Sequence, residues 1–394
     1  MTEIYLDYNA SSPLRPDAAA AVLRLLAGGH GNPSSIHRPG HRAKVVLESA
    51  RERVASLIGV PPEGIVFTSG GTEANNLAIL GAARAPGRGH LIVSAIEHSS
   101  VLEPARSLEA EGFLVSRVPP DREGVVHVAD ILREVREDTL LVSLMHSSNE
   151  VGTLQPVAEA AGALRHRGIL FHTDAVQSGG KVPLDAAALG VDLLSLSAHK
   201  LGGPPGAGCL YVREGVTLAP LLRGGGQESN RRAGTEPVAL IAGFAVAADL
   251  AASELTAEGA RQRALRDRLE EGLAGRIAGL RFHGRSSRRL PNTTSFSVDE
   301  CGGEEMVVAL DLEGIAISTG SACAAGTVRP SHVLEAMGCP PGEARSTLRI
   351  SLGRGTTEED LRRLTECLAA IVTRIRRARR RSLAPTGADV KGGS

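Results

Sequence analysis

The chain has 394 residues, of which 42% are hydrophobic and 22% charged, with 44 basic side chains balanced by 44 acidic ones. That length exceeds what one hydrophobic core usually serves, so a large domain with a smaller companion is expected. Ordinary composition marks a soluble globular protein, and zero formal charge excludes a surface that is one continuous nucleic-acid footprint.

No apolar run approaches the roughly 18 residues of a membrane span, and Met1-Thr2-Glu3-Ile4 lacks the basic and apolar regions of a secretory signal. A cytoplasmic protein is therefore expected. Cys209, Cys301, Cys323, Cys339 and Cys367 are odd in number and widely spaced, without a CxxC pair. They signal neither a disulfide framework nor a zinc site.

Tyr5-Leu6-Asp7-Tyr8-Asn9-Ala10 reads as a short extended opening. A helix follows from Pro16-Asp17, with proline in its first turn and Gly28-Gly29 as its stop. The turn-rich Gly31–His37 precedes a second helix ending near Gly59. From Ile65 the pattern alternates between strand and helix. Strand-like runs lie at Ile65–Phe67, Leu91–Val93, Phe113–Val118, Leu140–Met145, Ile169–Phe171, Leu193–Ser197 and Cys209–Val212. Such alternation predicts an α/β fold with a mainly parallel seven-stranded sheet covered on both faces, with room for an antiparallel strand.

One helix is then predicted from Thr235 to Leu250 and a separate, charged one from Ala257 to Ile277, with the domain change between them. The large domain is expected to span 14–255. Residues 1–13 and 256–380 should form a smaller α+β C-terminal domain, and Arg376–Arg381 should be a frayed basic end leading into a disordered tail at 381–394.

Asp174, closing the run Phe171-His172-Thr173-Asp174, and Lys200, after Ser195-Leu196-Ser197-Ala198-His199, stand at the ends of apolar strands. Parallel strands present such ends along one edge, where open α/β sheets place ligands. Lysine can form an imine and arginine cannot. Lys44, Lys181, Lys200 and Lys391 are the only lysines. Lys44 lies in a helical pattern, Lys391 in a glycine-bearing tail, and Lys181 in a loop beside a substrate channel at best. An imine-forming lysine and a carboxylate able to hold a pyridinium nitrogen are the two groups pyridoxal phosphate needs most.

Further stretches gather at the same edge. Thr68-Ser69-Gly70-Gly71-Thr72-Glu73 opens a helix after a strand and reads either as a phosphate cradle or as an ordinary helix start. It matches neither the P-loop nor the dinucleotide fingerprint. His98 in Glu97-His98-Ser99-Ser100 is either a cap or a ring that stacks on an aromatic cofactor. Asn149, in Asn149-Glu150-Val151-Gly152, is either a polar donor at this edge or part of a turn. Cys323, among Gly320-Ser321-Ala322 and Ala324-Ala325-Gly326, is either an unremarkable loop cysteine or an accessible thiolate. Arg349 is either a carboxylate grip or a surface ion-pair partner.

In this order, from Tyr5-Leu6-Asp7 through Gly31–His37, Thr68–Asn76, Glu97–Ser100, Asn149–Gly152, His172–Gln177, Ser197–Lys200 and Arg232-Ala233-Gly234-Thr235 to Gly320–Cys323, the segments resemble the NifS/IscS-type cysteine desulfurases. These belong to the class V aminotransferase group of fold-type I pyridoxal-phosphate enzymes. The resemblance implies that Lys200 bonds pyridoxal 5'-phosphate and Asp174 pairs with its ring nitrogen. His98 should stack over the ring and Gln177 should bond the phenolic oxygen. Gly71, Thr72, Ser197 and His199 should hold the phosphate, together with Thr235 from the neighbouring subunit of a homodimer. Asn149 and Arg349 should bind the carboxylate of L-cysteine, and Cys323 should take the sulfur as a persulfide, releasing alanine. No metal is implied.

The implied partners are a sulfur-acceptor protein, such as an iron–sulfur scaffold or a tRNA-thiolation enzyme, with no membrane and no direct nucleic-acid contact. Ala324-Ala325-Gly326-Thr327 departs from the more polar residues expected after the nucleophile and bears on partner choice. A selenocysteine lyase or a class V aminotransferase is the nearest competing reading. A scaffold without turnover is the more distant one, opposed by the retention of Lys200, Asp174, His98, Cys323 and Arg349 together.

Overall fold

A computed structural model describes residues 3–28, 31–320 and 330–383. The first helix, Pro16–Gly28, starts on its proline as expected. The second, Arg38–Leu57, is capped by His37, whose ring accepts from the Gly40 amide at 3.2 Å.

β1 (Ile4–Tyr5) opens the chain. The seven runs read from the sequence become β2 (Ile65–Thr68), β3 (His90–Ser94), β4 (Leu114–Val118), β5 (Thr139–Ser143), β6 (Leu170–Asp174), β7 (Leu193–Ser197) and β8 (Gly208–Val212). They form one sheet in the order β2-β8-β7-β6-β5-β3-β4. Only β8 runs against its neighbours, pairing antiparallel with both β2 and β7, while the remaining pairs are parallel. Near-continuous apolar strands need cover on both faces. One face carries a core that includes Phe67, Ile92, Phe171 and Phe244, and the other a core that includes Val66, Leu91, Leu141 and Leu210.

β9 (Leu280–Phe282), β10 (Thr293–Val298), β11 (Ile315–Ala316), β12 (Ser318–Thr319) and β13 (Thr347–Ser351) belong to the C-terminal part. Four of them form an antiparallel sheet, β12-β13-β10-β9, while β11 pairs in parallel with β1. The opening strand is thus built into the second core, where Ile4 and Leu6 meet Phe296, Leu348 and Ile350.

Two expectations about the junction are corrected. A single helix, Val238–Arg276, replaces the pair predicted on either side of residue 255. Ala251-Ala252-Ser253-Glu254-Leu255-Thr256-Ala257 contains neither glycine nor proline, so nothing in the backbone stops the helix there. Ile241, Phe244 and Ala248 pack in the large core, and Leu265, Leu269 and Leu273 pack in the small one. Contrary to the absence of any span-length run expected from the sequence, this helix is long and apolar enough by composition to cross a membrane. Its apolar residues instead serve the two cores.

The basic end is also more ordered than expected. The last helix runs Glu358–Leu383, and Arg376 donates to the carbonyls of Asp299 and Ala278 at 2.8 and 2.9 Å. The predicted tail from residue 384 onward lies outside the described residues.

Candidate active site

At the carboxyl edge of the large sheet lies a cavity of about 280 Å³. Asp174 ends β6, Lys200 follows the neighbouring β7 in a short 3-10 turn, and His98 caps the helix after β3, which lies one strand beyond β5, so the carboxyl ends of the sheet bring these three side chains to one place. Gln177, Ser197 and His199 line the same wall, with Gly71 and Thr72 at the start of the helix Gly71–Arg84. Asn149 and Arg349 close the opposite side. Of the residues predicted for the site, Thr235 is exposed and does not line this cavity, and Cys323 lies outside the described residues.

The buried carboxylate of Asp174 accepts from the Val176 amide at 2.9 Å and from Asn75 Nδ2 at 2.7 Å. The second proton on Asn75 Nδ2 goes to Ser100 Oγ at 2.8 Å. Ser100 Oγ lies 2.7 Å from His98 Nδ1, which also accepts from the Ser100 amide at 3.1 Å. Nδ1 is therefore an acceptor, and the proton of the neutral ring sits on Nε2. Asn75 thereby couples the orientation of Asp174 to that of His98. Burial holds His98 below its ordinary value, Asp174 opposes that shift, and Lys200 and His332 reinforce it.

Lys200 Nζ donates to the main-chain carbonyl of Asn9 and to that of Ala10 at 2.7 Å. Its own carbonyl accepts from Ser12 Oγ at 3.0 Å. Gln177 Nε2 donates to the Asn9 carbonyl at 2.8 Å, while Gln177 Oε1 accepts from Lys181 at 2.9 Å. Burial pushes the amine of Lys181 well below its ordinary value, with Lys200 and Arg349 adding to the effect. Lys181 does not line the cavity; it lies in the neighbouring hollow and reaches the site through its bonds to Gln177 and Asn9.

His199 Nδ1 lies 3.2 Å from Ser11 Oγ, and burial, then Lys200 and Lys181, lowers the ring to about 4. It is neutral at physiological pH. Gly71 admits no side chain, because a Cβ there would stand 2.7 Å from Val176 Cγ2.

Arg349, 2% exposed, comes from β13 of the second domain. Its Nη2 pairs with Asp7 Oδ1 at 2.7 Å and its Nη1 donates to the Asn149 carbonyl at 3.0 Å. Its Nε is buried without a hydrogen-bond partner among the described residues. Leaving such a donor unmade is costly, which marks it as waiting for an anion.

Behind His98, Glu97 is fully enclosed. Its Oε1 accepts from the Met145 amide at 2.6 Å, and Oε2 has no hydrogen-bond partner among the described residues. Burial, then the nearby Asp174, raises this carboxyl to about 8.

These groups fit pyridoxal phosphate. The cavity offers an amine, a buried carboxylate, a capped histidine and an amide on one wall. A helix N-terminus with hydroxyl donors suits a phosphate, and an orphaned guanidinium N–H suits a carboxylate. A larger hollow of about 590 Å³ beside Arg51 and Glu63 has no comparable convergence. There the guanidinium of Arg51 is already engaged by Glu228 and by the Ile65 carbonyl, each at 2.8 Å.

Residues 4–364 match the aminotransferase class-V family model. The chain belongs to that family, whose enzymes depend on pyridoxal phosphate. It is 45% identical over 377 residues to the cysteine desulfurase IscS of Dictyoglomus turgidum, covering 95% of each chain. It is 42% identical over 376 residues to the cysteine desulfurase IscS of Methanosarcina thermophila, covering 95% of this chain and 93% of that one. Among solved structures, a NifS-like protein superposes with a TM-score of 0.89 at 36% identity, over 94% of this chain and 100% of that one. The fold is that of the NifS-like, fold-type I pyridoxal-phosphate enzymes, and within the class V family the chain groups with the cysteine desulfurases.

Asn9, Asn75 and Lys181 were not assigned to the site from sequence. Asn75 stood in the quoted Thr68–Asn76 stretch, and its position one turn inside a helix that starts at a ligand edge was the available signal. Asn9 carries no local signal, because its contacts join segments far apart in the chain, while Lys181, four residues after Gln177, read only as a loop residue.

Proposed function

We propose that this protein is a pyridoxal-phosphate-dependent cysteine desulfurase, converting L-cysteine to L-alanine and leaving the sulfur as a persulfide on Cys323. The observation that carries this reading is the meeting of Lys200 and Asp174 with Arg349 in one cavity. It pairs the residues a pyridoxal cofactor requires with a grip for an amino-acid carboxylate.

When bound, pyridoxal phosphate supplies an electron sink for the pair released as the substrate's carbon–sulfur bond breaks. Lys200 would hold the cofactor and Asp174 its ring nitrogen, with Asn75 fixing the carboxylate's rotation. Gln177, its amide orientation set by Lys181, would direct N–H toward the phenolic oxygen. Gly71, Thr72, Ser197 and His199 would bind the phosphate. Arg349 is oriented by Asp7 and by the Asn149 carbonyl, so it would receive the substrate carboxylate without searching for a rotamer.

Cys323, as a thiolate, would attack the substrate sulfur. A sulfur–sulfur bond forms, the carbon–sulfur bond breaks, and the carbon gains a proton to give alanine. The net change is one thiol plus cysteine to one persulfide plus alanine. His98, neutral with its proton on Nε2, is the group placed to exchange protons over the ring.

The reading includes a homodimer in which Thr235 completes the partner's phosphate site. Its exposure, away from its own cavity, supports this. The sulfur acceptor is proposed to be an iron–sulfur scaffold or a tRNA-thiolation protein. The enzyme is proposed to work in the cytoplasm, where widely spaced cysteines stay reduced.

The test measures alanine formed from L-cysteine by cofactor-loaded protein in the presence of a reducing thiol, beside Cys323→Ala. The variant is expected to keep the yellow cofactor and lose alanine formation. Undiminished alanine from the variant would remove Cys323 from the reaction. No alanine from either protein, with the cofactor spectrum intact, would point to another substrate.

A further inference from the structure

Away from the cavity, the second domain brings together His283, Cys339 and Glu343. His283 directly follows β9 and is 4% exposed. Cys339 lies between the helices His332–Ala336 and Pro341–Arg345, and Glu343 lies within the second. Both are half-buried, so the cluster reaches solvent on one side.

The distances are those of an open triangle. Cys339 Sγ is 3.9 Å from His283 Nδ1, and His283 Nδ1 is 3.9 Å from Glu343 Oε1. The three ligand atoms all lie within 4.8 Å of one another. The imidazole–carboxylate separation is too long for a hydrogen bond. Zinc bonds of ~2.3 Å to sulfur and ~2.0–2.1 Å to nitrogen or oxygen give tetrahedral edges of roughly 3.4–3.6 Å. Small contractions of the two 3.9 Å edges, with a larger movement where the third edge is wider, would close the triangle on such an ion.

The surrounding hydrogen bonds prepare the ligand atoms. Thr347 Oγ1 donates to the Glu343 carbonyl at 2.9 Å, so its lone pairs face His283 Nε2, 3.5 Å away. That contact favours the proton on Nε2 and leaves the Nδ1 lone pair directed toward Cys339 and Glu343. Fixing the tautomer through the other ring nitrogen is the usual support of a metal-binding histidine. Arg281 engages Glu343 Oε2, leaving Oε1 on the side of the imidazole. Burial keeps His283 below its ordinary value, with Arg281 reinforcing the shift and Glu343 and Glu123 opposing it.

We propose that His283, Cys339 and Glu343 form a zinc site with three protein ligands and a water in the fourth position. One thiolate and one carboxylate would offset the divalent charge in a half-buried setting, with Arg281 kept on the far carboxylate oxygen. Burial raises the free thiol to about 11, so the metal must displace a proton from Cys339 as it binds. The site would tie the end of β9 to the two short helices that follow residue 329. Zinc would therefore brace the C-terminal anchor of the stretch that contains Cys323.

The experiment uses full-length holoenzyme in a Cys323→Ser background, so that the Cys323 thiol cannot supply a ligand. The protein is equilibrated with zinc against a chromophoric chelator, and bound metal is counted by elemental analysis. One equivalent per chain is expected, lost in Cys339→Ser and in His283→Gln and retained in Cys367→Ser. Cobalt substituted for zinc should show ligand-field bands beyond the cofactor's absorption, absent in Cys339→Ser. Zinc should also raise the melting temperature of the background protein and not that of His283→Gln. Failure of the background protein to retain zinc would overturn the proposal. So would equal retention by folded Cys339→Ser and His283→Gln, with circular dichroism reporting their folding.

Discussion

Asp174 and Arg349 face the same cavity and are held there in different ways. Asp174 takes one hydrogen bond from an amide two residues away and another from Asn75 on a helix packed against the same sheet. Arg349 is fixed by Asp7, 342 positions earlier in the chain, and by the carbonyl of Asn149, 200 positions earlier. The setting of Asp174 is a product of the α/β unit, although Lys200 and Gln177 beside it also lean on Asn9 and Ala10 of the opening segment. The opposite wall, which holds Arg349, exists only after the opening strand, the large domain and the second sheet have come together. The first suits a permanently bound cofactor and the second a substrate that must enter and leave.

The sharpest way to test the first wall is Lys200→Ala. Loss of the amine should lower alanine formation by on the order of ten-thousand-fold or more, as removal of a covalent catalytic group commonly does. The characteristic absorption of the lysine-bound cofactor should vanish with it. Full activity would refute the assignment of Lys200. The second wall is tested by Arg349→Lys, which keeps the charge and loses the fork that spans Asp7 and the Asn149 carbonyl. Charged hydrogen bonds are worth about 1.5–3 kcal/mol. The KM for L-cysteine should therefore rise roughly 10- to 150-fold, by that conversion, with the cofactor spectrum unchanged. If instead cofactor binding fails and KM holds, the two walls are not separable in the way their contacts imply.

That division also explains what could be read in advance. Seven apolar runs became the seven strands of one sheet, and the places of Asp174 and Lys200 at its carboxyl edge followed from strand direction and from the elimination of the other lysines. His98 stayed open between a cap and a stacking ring until the family resemblance was drawn. Asn9 was not found, because it acts through contacts more than 160 residues away in sequence, and Lys181 read as a loop residue although it bonds Gln177 four residues earlier. Arg349 was named by the family resemblance, while its own alternating strand left a surface ion pair equally open. The helix Val238–Arg276 was divided in two because its composition changes near residue 255. The backbone has no reason to break there, and the composition changes because the helix passes from one core to the other.

Glu97 offers the most specific test of the cofactor wall. Its carboxyl sits behind His98, is raised to about 8 from an ordinary 4.5, and owes that first to burial and then to Asp174. Below about pH 4.5 both folded and unfolded chains hold this proton, and the group adds no pH dependence. As pH rises from there toward 8, the unfolded chain releases the proton while the folded chain keeps it. The wild type should therefore lose stability over this window by up to about 1.4 kcal/mol per pH unit relative to Glu97→Gln. Above about 8 the difference should level off, since both states are then ionised. Glutamine retains an acceptor for the Met145 amide, so the comparison isolates the proton rather than the hydrogen bond. Urea midpoints of the two proteins across this range would measure it. Parallel profiles would mean that the carboxyl is ionised in the folded protein. The pocket behind His98 would then have to be far more polar than its burial and the unpartnered Oε2 imply.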